Sequence, residues 1–350
     1  MLSAESTVAI HTLRNSKPAK LEQVVDHGRF LRDLADKKLS VVITNLNTFK
    51  AGELLRPVVD SDGTVRFTPE TVAVESLAGL VSMHNRVLGP LTHEAATGIP
   101  RVNSNELKEY ANSKSRLNSE ILGEYQVPTL LIPTDPAEIG TAIEMLGSIE
   151  GSRVIVKKDN GSGGGSTQRL DKAEAAQWLE QFFADEQRSA HVMQPEIIFG
   201  TLPETIRGVS EQEEDLVRRS RQEGLLTELR LFVVKRQNEA DIIPIGRIVA
   251  DKDDRMGGAS DTYVDVTVDD SLMNELAPVA QGIIDKTVER SKSAPFAVGA
   301  VDFYFLPDGG FGVMEANIKS PQLPRTRDNA VAGRAVHRAL AKTLATMGGR

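Results

Sequence analysis

Two runs of alternating apolar and polar residues near the C-terminus are separated by a strong turn signal. The runs cover residues 300–306 and 311–317, and the letters PDGG stand between them. Strand-like alternation on both sides of such a turn is typical of a β-hairpin. With a loop of two or four residues, antiparallel pairing places Asp302 directly opposite Glu315. The pattern therefore predicts a hairpin in which two carboxylates face each other.

A third polar side chain joins this pair, because the two-residue period of a strand puts Asn317 on the same face as Glu315. Like charges that face each other destabilise a plain scaffold, so we expect a cation between the carboxylates. Three hard oxygen donors suit Mg²⁺ better than zinc or iron. An edge hairpin with a solvated polar face explains the same residues, and the hairpin alone does not decide between these interpretations.

A glycine-rich segment, DNGSGGGST, follows a predicted strand at residues 153–157 and precedes a predicted helix at residues 173–183. Gly/Ser runs are often flexible linkers. This run lies inside one structural unit, which favours a loop whose backbone N–H groups bind phosphate. It is not a P-loop, because the chain contains no GK[ST], and Ser166 replaces the last glycine of G-x-G-x-x-G.

Composition narrows the classes of function. The chain has 350 residues, enough for two or three domains, and no cysteine. The absence of cysteine excludes disulfides, thiolate catalysis and cysteine-ligated metal centres. A formal net charge of −8 offers no broad positive surface, so nucleic acid is not an expected partner. With no long apolar run and no signal-like N-terminus, we expect a cytoplasmic protein without a membrane partner.

The chain also divides into segments. Apolar runs at residues 6–13 and 40–44 flank a helical pattern, which predicts a β-α-β opening, whereas residues 64–90 fit either strands or a helix. Ser104 is a typical helix N-cap, and the helical pattern beyond it ends at Gly123. We therefore predict three domains, at residues 1–104, 105–195 and 196–350.

The charged segment at residues 211–224 has an acidic half followed by a basic half. Glu214 with Arg218 and Asp215 with Arg219 fall four residues apart, which predicts an exposed helix with two ion pairs.

The order of these motifs resembles the ATP-grasp superfamily, and most closely glutathione synthetase and the ribosomal-protein glutamate ligases. The resemblance covers about residues 98–325. Its segments are GIPRVNSNELKEYANSKSRLNSEILGEYQVPTLLIP, RVIVKKDNGSGGGST, VMQPEII, ELRLFVV and VDFYFLPDGGFGVMEANIKSP, which ends in NIKSP. The resemblance implies an α/β (α+β) fold, in which an N-terminal α/β domain precedes two α+β subdomains that enclose a nucleotide.

The resemblance also implies a role for each matched residue. The implied ATP-binding residues are Lys114, Lys157, Gly163, Gly164, Gly165, Ser166, Gln194, Glu196 and Ile197. The implied metal ligands are Asp302, Glu315 and Asn317, the same three residues that the hairpin pattern brings together. The implied catalytic arginines are Arg230, Arg247 and Arg255, and Ser320 is placed near the substrate.

Two features depart from the superfamily pattern. Pro195 lies in the hinge segment where an acidic residue is often found, so the hinge alignment can be shifted by one residue. Residues 200–227 are longer than expected between the hinge and Arg230, which suggests a lid or a surface for a partner.

The activity implied by the resemblance is that of a carboxylate–amine ligase. Such an enzyme uses ATP and two Mg²⁺ ions, with Mn²⁺ as a substitute, and forms an amide through an acylphosphate, releasing ADP and phosphate. Its partners are small-molecule carboxylate and amine substrates, such as an amino acid or a peptide, and by analogy a second copy of the chain in a homodimer. The alternatives are a kinase on the same fold, which phosphorylates a small molecule, and a nucleotide-binding regulatory protein without turnover.

Overall fold

The structure is a computed structural model. It describes residues 7–12, 40–45, 53–59, 65–71, 77–84, 87–88, 99–160, 167–197, 200–249, 261–318 and 330–347. Among the helices within these ranges, none is long and apolar enough to cross a membrane.

The first sheet has six strands in the order β4-β3-β2-β1-β5-β6. Its strands are β1 (Thr7–Thr12), β2 (Ser40–Asn45), β3 (Glu53–Val59), β4 (Val65–Thr71), β5 (Gly79–His84) and β6 (Val87–Leu88). β1 pairs in parallel with β2 and β5, which confirms the two predicted opening strands. Residues 64–90, whose sequence fits either strands or a helix, contain β4, β5 and β6. The predicted helix between β1 and β2 lies outside the described residues.

Two short helices follow this sheet. α1 (Asn105–Tyr110) begins after Ser104, whose Oγ accepts the backbone N–H of Leu107 at 3.3 Å, as the N-cap signal predicts. α2 (Lys114–Leu117) continues into a π-helical turn, Asn118–Leu122. Gly123 ends this turn with a φ of 56°, a conformation that glycine adopts without strain.

The second sheet is antiparallel, with the order β7-β10-β8-β9. Its elements are β7 (Leu130–Ile132), α3 (Ile139–Ser148), β8 (Arg153–Lys158), β9 (Gln168–Asp171), α4 (Lys172–Ala184) and β10 (His191–Pro195). Val154, Val156 and Met193 pack against residues of α3 and α4 in one buried cluster. The opposite face of β8 and β10 is therefore the one that remains for a ligand.

The long segment after β10 forms a small unit of its own. It contains β11 (Ile206–Gly208) and α5 (Glu211–Glu223), the predicted exposed helix. The ion pairs differ from the prediction: Asp215 pairs with Arg218 at 2.6 Å, and Glu214 accepts the backbone N–H of Gly208 at 2.6 Å. Arg221 donates to the carbonyl groups of Leu202, Pro203 and Ile206, so this helix is fixed to the loop before it.

The third large sheet is antiparallel, with the order β14-β13-β12-β16-β17. Its strands and the elements between them are β12 (Leu226–Arg236), β13 (Glu239–Val249), β14 (Asp261–Val264), β15 (Val266–Val268), α6 (Asp270–Ser291), β16 (Phe296–Phe305) and β17 (Phe311–Asn317). β15 pairs with β11 instead of joining this sheet. Residues of α6 share a buried cluster with one face of β12 and β16. The final helix, α7 (Ala330–Met347), covers part of the other face.

The predicted hairpin of β16 and β17 has the predicted pair but a different loop. Phe305 pairs with Phe311, and a turn from Leu306 to Gly310 encloses three loop residues, not two or four. Gly309 takes a φ of 89° in this turn. The odd loop shifts the register by one residue, and a β-bulge between the Phe303 and Asp302 pairs shifts it back. Asp302 therefore lies opposite Glu315 as predicted, with Met314 as the additional residue.

Candidate active site

A row of polar side chains crosses one face of the five-stranded sheet. Arg247 pairs with Tyr263 on one side and with Glu228 on the other. Arg230, two residues along β12 from Glu228, pairs with Asp302, which pairs in turn with Glu315. Because directly paired residues and residues two apart share a face, these side chains lie side by side across five strands.

Arg230 and Asp302 form a buried bidentate ion pair. The Nε and Nη2 atoms of Arg230 lie 2.6 and 2.7 Å from the two carboxylate oxygens, and the side chains are 9% and 2% exposed. Burial alone lowers the pKa of Arg230, but the Asp302 carboxylate outweighs it and raises that pKa above its ordinary value. Tyr263 adds a hydroxyl that accepts from Nη1 at 3.3 Å, and its ring centroid lies 5.5 Å from the guanidinium. The Asp302 carboxylate, the Tyr263 hydroxyl and the Tyr263 ring thus all contact the Arg230 guanidinium.

A second ion pair lies beside the first. Arg247 Nη1 donates to Glu228 Oε2 at 2.6 Å, and the Glu228 side chain is 6% exposed. Burial raises the pKa of Glu228 above its usual range, and the nearby Asp302 carboxylate adds to this effect against the opposing influence of Arg247. Arg230 and Arg247, the two predicted catalytic arginines that the structure describes, therefore both lie in this row and each contacts a carboxylate.

The three predicted metal ligands lie together at the β17 end of the row. Asn317 Nδ2 donates to Asp302 Oδ2 at 3.0 Å, and Glu315 is the direct partner of Asp302 in the sheet. Among the residues that the structure describes, no three His, Cys, Asp or Glu side chains group closely enough to hold a metal ion. A metal at this patch would therefore have two carboxylates and the Asn317 amide as its protein ligands.

This donor set fits a hard divalent cation. A carboxylate offers about four lone-pair positions, of which Arg230 and Asn317 use three at Asp302. Asn317 turns its amide nitrogen to Asp302, which leaves Oδ1 on the other branch of the amide. Carboxylate and amide oxygens are the ligands that Mg²⁺ prefers, with water or phosphate oxygens completing its coordination.

Two lysines approach the same patch, one from the second sheet and one from α2. Lys157 lies on the face of β8 opposite the buried Val154 and Val156, and Lys114 is the first residue of α2. Burial lowers the pKa of Lys157, with Lys114 lowering it further, whereas Glu315 and Glu228 raise it. The charges on the two sheets are thus close enough to affect each other.

Asp159, just beyond β8, fixes Lys114 relative to Lys157. Its carboxylate accepts the backbone N–H of Ser115 at 2.8 Å, and its carbonyl oxygen accepts that of Lys114 at 3.2 Å. Asp159 is only 5% exposed, and its bond to Ser115 is partly buried. The start of α2 is therefore attached directly to the end of the strand that carries Lys157.

The predicted hinge residues lie at the end of β10. Gln194 is buried, and its Nε2 donates to Thr129 Oγ1 at 2.6 Å. Glu196 donates its backbone N–H to the Arg153 carbonyl at 3.1 Å, and its carboxylate lies 2.6 Å from Arg169. Ile197 follows it and is partly buried.

One cleft of about 690 Å³, a volume that includes space open to solvent, lies between α2, the second sheet and β17. We call the face formed by Arg230, Asp302, Glu315 and Asn317 the acidic wall, and the face formed by Lys114 and Lys157 the lysine wall. Both lysines, Gln194, Glu315 and Asn317 line the cleft. A space with ammonium groups on one side and oxygen ligands on the other suits a polyphosphate with its metal ion.

The remaining predicted site residues lie outside the described residues. They are Gly163, Gly164, Gly165, Ser166, Arg255 and Ser320.

The sequence reasoning missed several residues that organise the site. Glu228 is the acidic residue of the ELRLFVV segment, but no role was predicted for it, and Tyr263 was not among the predicted site residues. The signal for Glu228 in the sequence was an acidic residue two positions before an arginine within an otherwise apolar strand pattern. Asp159 carried no signal beyond its place beside the glycine-rich segment.

No protein-family model matches the chain, and no curated protein matches it by sequence. Solved structures match over nearly the whole length. VanG D-Ala:D-Ser ligase from Enterococcus faecalis is 11% identical, with a TM-score of 0.59 and coverage of 98% of this chain and 99% of that chain.

Two further structures give the same result. D-alanyl-alanine synthetase A from Vibrio cholerae is 12% identical, with a TM-score of 0.57 and coverage of 99% of each chain. D-cycloserine synthetase DcsG is 15% identical, with a TM-score of 0.55 and coverage of 97% of this chain and 100% of that chain. The architecture predicted from the sequence is thereby confirmed, and the chain has the ATP-grasp fold.

Proposed function

We propose that the chain is an ATP- and Mg²⁺-dependent carboxylate–amine ligase that forms an amide bond on an amino acid or a small peptide. The observation that carries this proposal is the cleft, in which Lys114 and Lys157 face Glu315 and Asn317. The names of the similar structures support the reaction class, because they are D-alanine and D-serine ligases and a D-cycloserine synthetase.

The ATP would lie between the second sheet and the five-stranded sheet. Lys114 and Lys157 would bind its phosphates, and the segment from Gln194 to Ile197 would contact the adenine through its backbone. The roles of Gly163, Gly164, Gly165 and Ser166 over the triphosphate rest on the resemblance. So do those of Arg255 and Ser320 near the substrate.

Asp302, Glu315 and Asn317 would hold Mg²⁺, in keeping with their oxygen donors. A bound Mg²⁺ supplies positive charge that neutralises phosphate oxygens. Arg230 lies beside these ligands, where its guanidinium can stabilise the phosphoryl group in transfer. Arg247, held by Glu228, is placed to orient the substrate carboxylate.

The chemistry follows from these positions. A substrate carboxylate oxygen attacks the γ-phosphorus, the bond to the bridging oxygen breaks, and ADP leaves with an acylphosphate formed. An amine then attacks the acyl carbon and loses a proton, and inorganic phosphate leaves, giving the amide. No side-chain nucleophile is required, which agrees with a chain that lacks cysteine.

The test is to incubate the protein with MgATP and pooled amino acids and small peptides, including D-alanine and D-serine. ADP and phosphate release is measured, and mass spectrometry is run on the same samples. We expect release together with a product lighter than its two precursors by one water. The Glu315→Ala variant is the control for a contaminating ATPase.

Two outcomes would contradict the proposal. A stable phosphorylated product without amide would identify a kinase on the same fold. Tight MgATP binding without release from any pool would identify a nucleotide-binding regulatory protein.

A further inference from the structure

Asn103 lies at the junction of the first sheet and the five-stranded sheet, outside every role assigned above. Its side chain is 1% exposed, and its backbone takes a φ of 55°. Among residues other than glycine, asparagine tolerates this left-handed conformation best, yet most chains avoid it. An unfavourable backbone at a fully buried position indicates that the surrounding contacts hold it there.

Every hydrogen-bonding atom of the Asn103 side-chain amide has a defined partner. Oδ1 accepts the backbone N–H of Val298 at 2.6 Å, and Nδ2 donates to the Val298 carbonyl at 2.8 Å. The second N–H of Nδ2 donates to the Ile318 carbonyl at 3.1 Å. The side chain thus makes with Val298 the pair of bonds that a neighbouring strand residue would make.

These contacts lie at the end of the strand that carries two of the proposed metal ligands. β17 ends at Asn317, which is opposite Ala300, and Val298 is two residues further along β16. Ile318 directly follows Asn317 and is 1% exposed. Asn103 therefore continues the edge of the sheet beyond Asn317 and fixes the carbonyl group of the next residue.

The segment that carries Asn103 is itself fixed to the first sheet. The backbone N–H of Val102 donates to the Leu80 carbonyl at 3.1 Å, and the backbone N–H of Leu80 donates to the Pro100 carbonyl at 2.9 Å. Asn103 also donates its backbone N–H to Phe296 at 3.1 Å. The end of β17 is thus attached, through the Asn103 side chain, to a segment that is bonded to the first sheet and is far away in sequence.

We propose that Asn103 is a positioning residue of the metal site: by holding Ile318 and Val298, it sets where β17 ends and so fixes the Asn317 amide beside Asp302. The inference rests on the proposed function, because it takes Asp302, Glu315 and Asn317 as ligands of a divalent cation. Residues that orient metal ligands without touching the metal typically contribute about 10- to 100-fold to metal affinity.

The test measures Mn²⁺ binding, independently of turnover. The protein is titrated with Mn²⁺ in the presence of a non-hydrolysable ATP analogue, and free Mn²⁺ is followed by electron paramagnetic resonance. Asn103→Gly keeps the positive φ and removes all three bonds, whereas Asn103→Ser keeps a neutral polar side chain that is too short to bond both Val298 and Ile318. We expect both variants to bind Mn²⁺ at least about tenfold more weakly.

Two controls separate positioning from general destabilisation. Arg221→Met removes a buried side chain that donates to three carbonyl groups in the unit formed by β11 and α5, and it should lower thermal stability without changing Mn²⁺ affinity. In an Asn317→Ala background, Asn103→Gly should cause no further loss, because the ligand that it positions is absent.

The outcomes are distinct. Wild-type Mn²⁺ affinity in folded Asn103 variants would overturn the inference, and so would additive losses in the double variant. Asn103→Ser, which buries no charge, provides the folded variant if Asn103→Gly does not fold. Absence of nucleotide-dependent Mn²⁺ binding by the wild-type chain would contradict the proposed function, and the inference with it.

Discussion

The acidic wall and the lysine wall of the cleft hold their charges in different ways. On the acidic wall, Asp302 contacts Arg230 and Asn317 within 3.0 Å, all on neighbouring strands of one sheet. On the lysine wall, Lys157 makes no ion pair within 4.0 Å to any described residue, and burial lowers its pKa. The acidic wall is compensated from within, whereas Lys157 is partly compensated by Glu315 and Glu228.

This difference indicates which wall should gain most free energy when a ligand binds. Fixed ion pairs place charge without reorganisation when a ligand arrives, which is the arrangement that favours catalysis. A desolvated lysine without an adjacent carboxylate gains most from a bound anion, because the anion supplies the missing partner. The acidic wall should therefore determine stability and chemistry, and the lysine wall should determine nucleotide affinity.

The largest effect is expected at the centre of the acidic wall. Asp302→Ala leaves the buried Arg230 without its carboxylate, which should lower the free energy of unfolding by about 3–5 kcal/mol. Adding Arg230→Met should recover much of this loss, since the uncompensated charge is removed. Urea denaturation of the two variants measures both values.

The matched control for Asp302→Ala is Asp241→Ala. Asp241 pairs with Arg236 on the same sheet but is 28% exposed, so its removal should cost about 1 kcal/mol or less. If Asp302→Ala and Asp241→Ala lower the free energy of unfolding equally, burial does not make the Arg230–Asp302 pair more important for stability than the exposed pair.

The next effect concerns turnover alone. Glu315→Ala should reduce ADP formation by about 10²–10³-fold, the effect of removing one group that stabilises transferred charge. Its stability should change little, because losing the like charge beside Asp302 and losing the partial compensation of Lys157 have opposite effects. ADP release against Mg²⁺ concentration and urea denaturation test the two halves of this expectation.

Glu239→Ala is the control for Glu315→Ala, because Glu239 lies on β13 with its side chain 74% exposed. It should leave turnover unchanged. Retained turnover in Glu315→Ala would remove that residue from the metal site and break the proposed division between the walls.

A smaller effect comes from a buried lysine outside the cleft. Burial, followed by the proximity of Arg101, lowers the pKa of Lys108 to about 7. Above that pH the folded chain binds fewer protons at Lys108 than the unfolded chain does, so stability rises with pH until the unfolded lysine also loses its proton. Between about pH 7 and pH 9 this contributes about 2 kcal/mol.

Lys108→Met should remove that rise, which urea denaturation at several pH values measures as a difference from the wild type. The slope should be the same with and without MgATP, since Lys108 is not among the residues that line the cleft. A nucleotide-dependent slope would show that Lys108 belongs functionally to the lysine wall.

The sequence predicts the hairpin and its Asp302–Glu315 pair because both depend on local alternation and a turn. It does not predict the three-residue loop or the bulge at Met314, and the correct pair results from two compensating shifts. A bulge depends on how the strand packs against its neighbours, which the local pattern does not record.

The contacts between distant strands were beyond the sequence for the same reason. Arg230 meets Asp302 from 72 residues away, and Asn103 meets Val298 from 195 residues away. The resemblance supplied the fold and the site residues other than Asp302, Glu315 and Asn317, which the hairpin pattern had already brought together. The contacts themselves could not be predicted in this way. That Arg230 pairs with the metal-ligand candidate Asp302, and that Asn103 bonds at the end of β17, required the register of the five-stranded sheet.

The smallest effect is expected on the lysine wall, where the stability of the ligand-free protein should rise and the stabilisation by MgATP should fall. Lys157→Met removes a desolvated charge, so the ligand-free protein should gain up to about 1 kcal/mol of stability. The same variant should lose most of the stabilisation that MgATP gives the wild type, because a phosphate partner is gone. Thermal unfolding with and without MgATP measures both.

Lys158→Met is the matched control, since Lys158 is the next residue on β8 but is exposed on the opposite face. A loss of ligand-free stability in Lys157→Met would show that Lys157 is already compensated within its own wall. In that case the two walls would differ only in the sign of their charge.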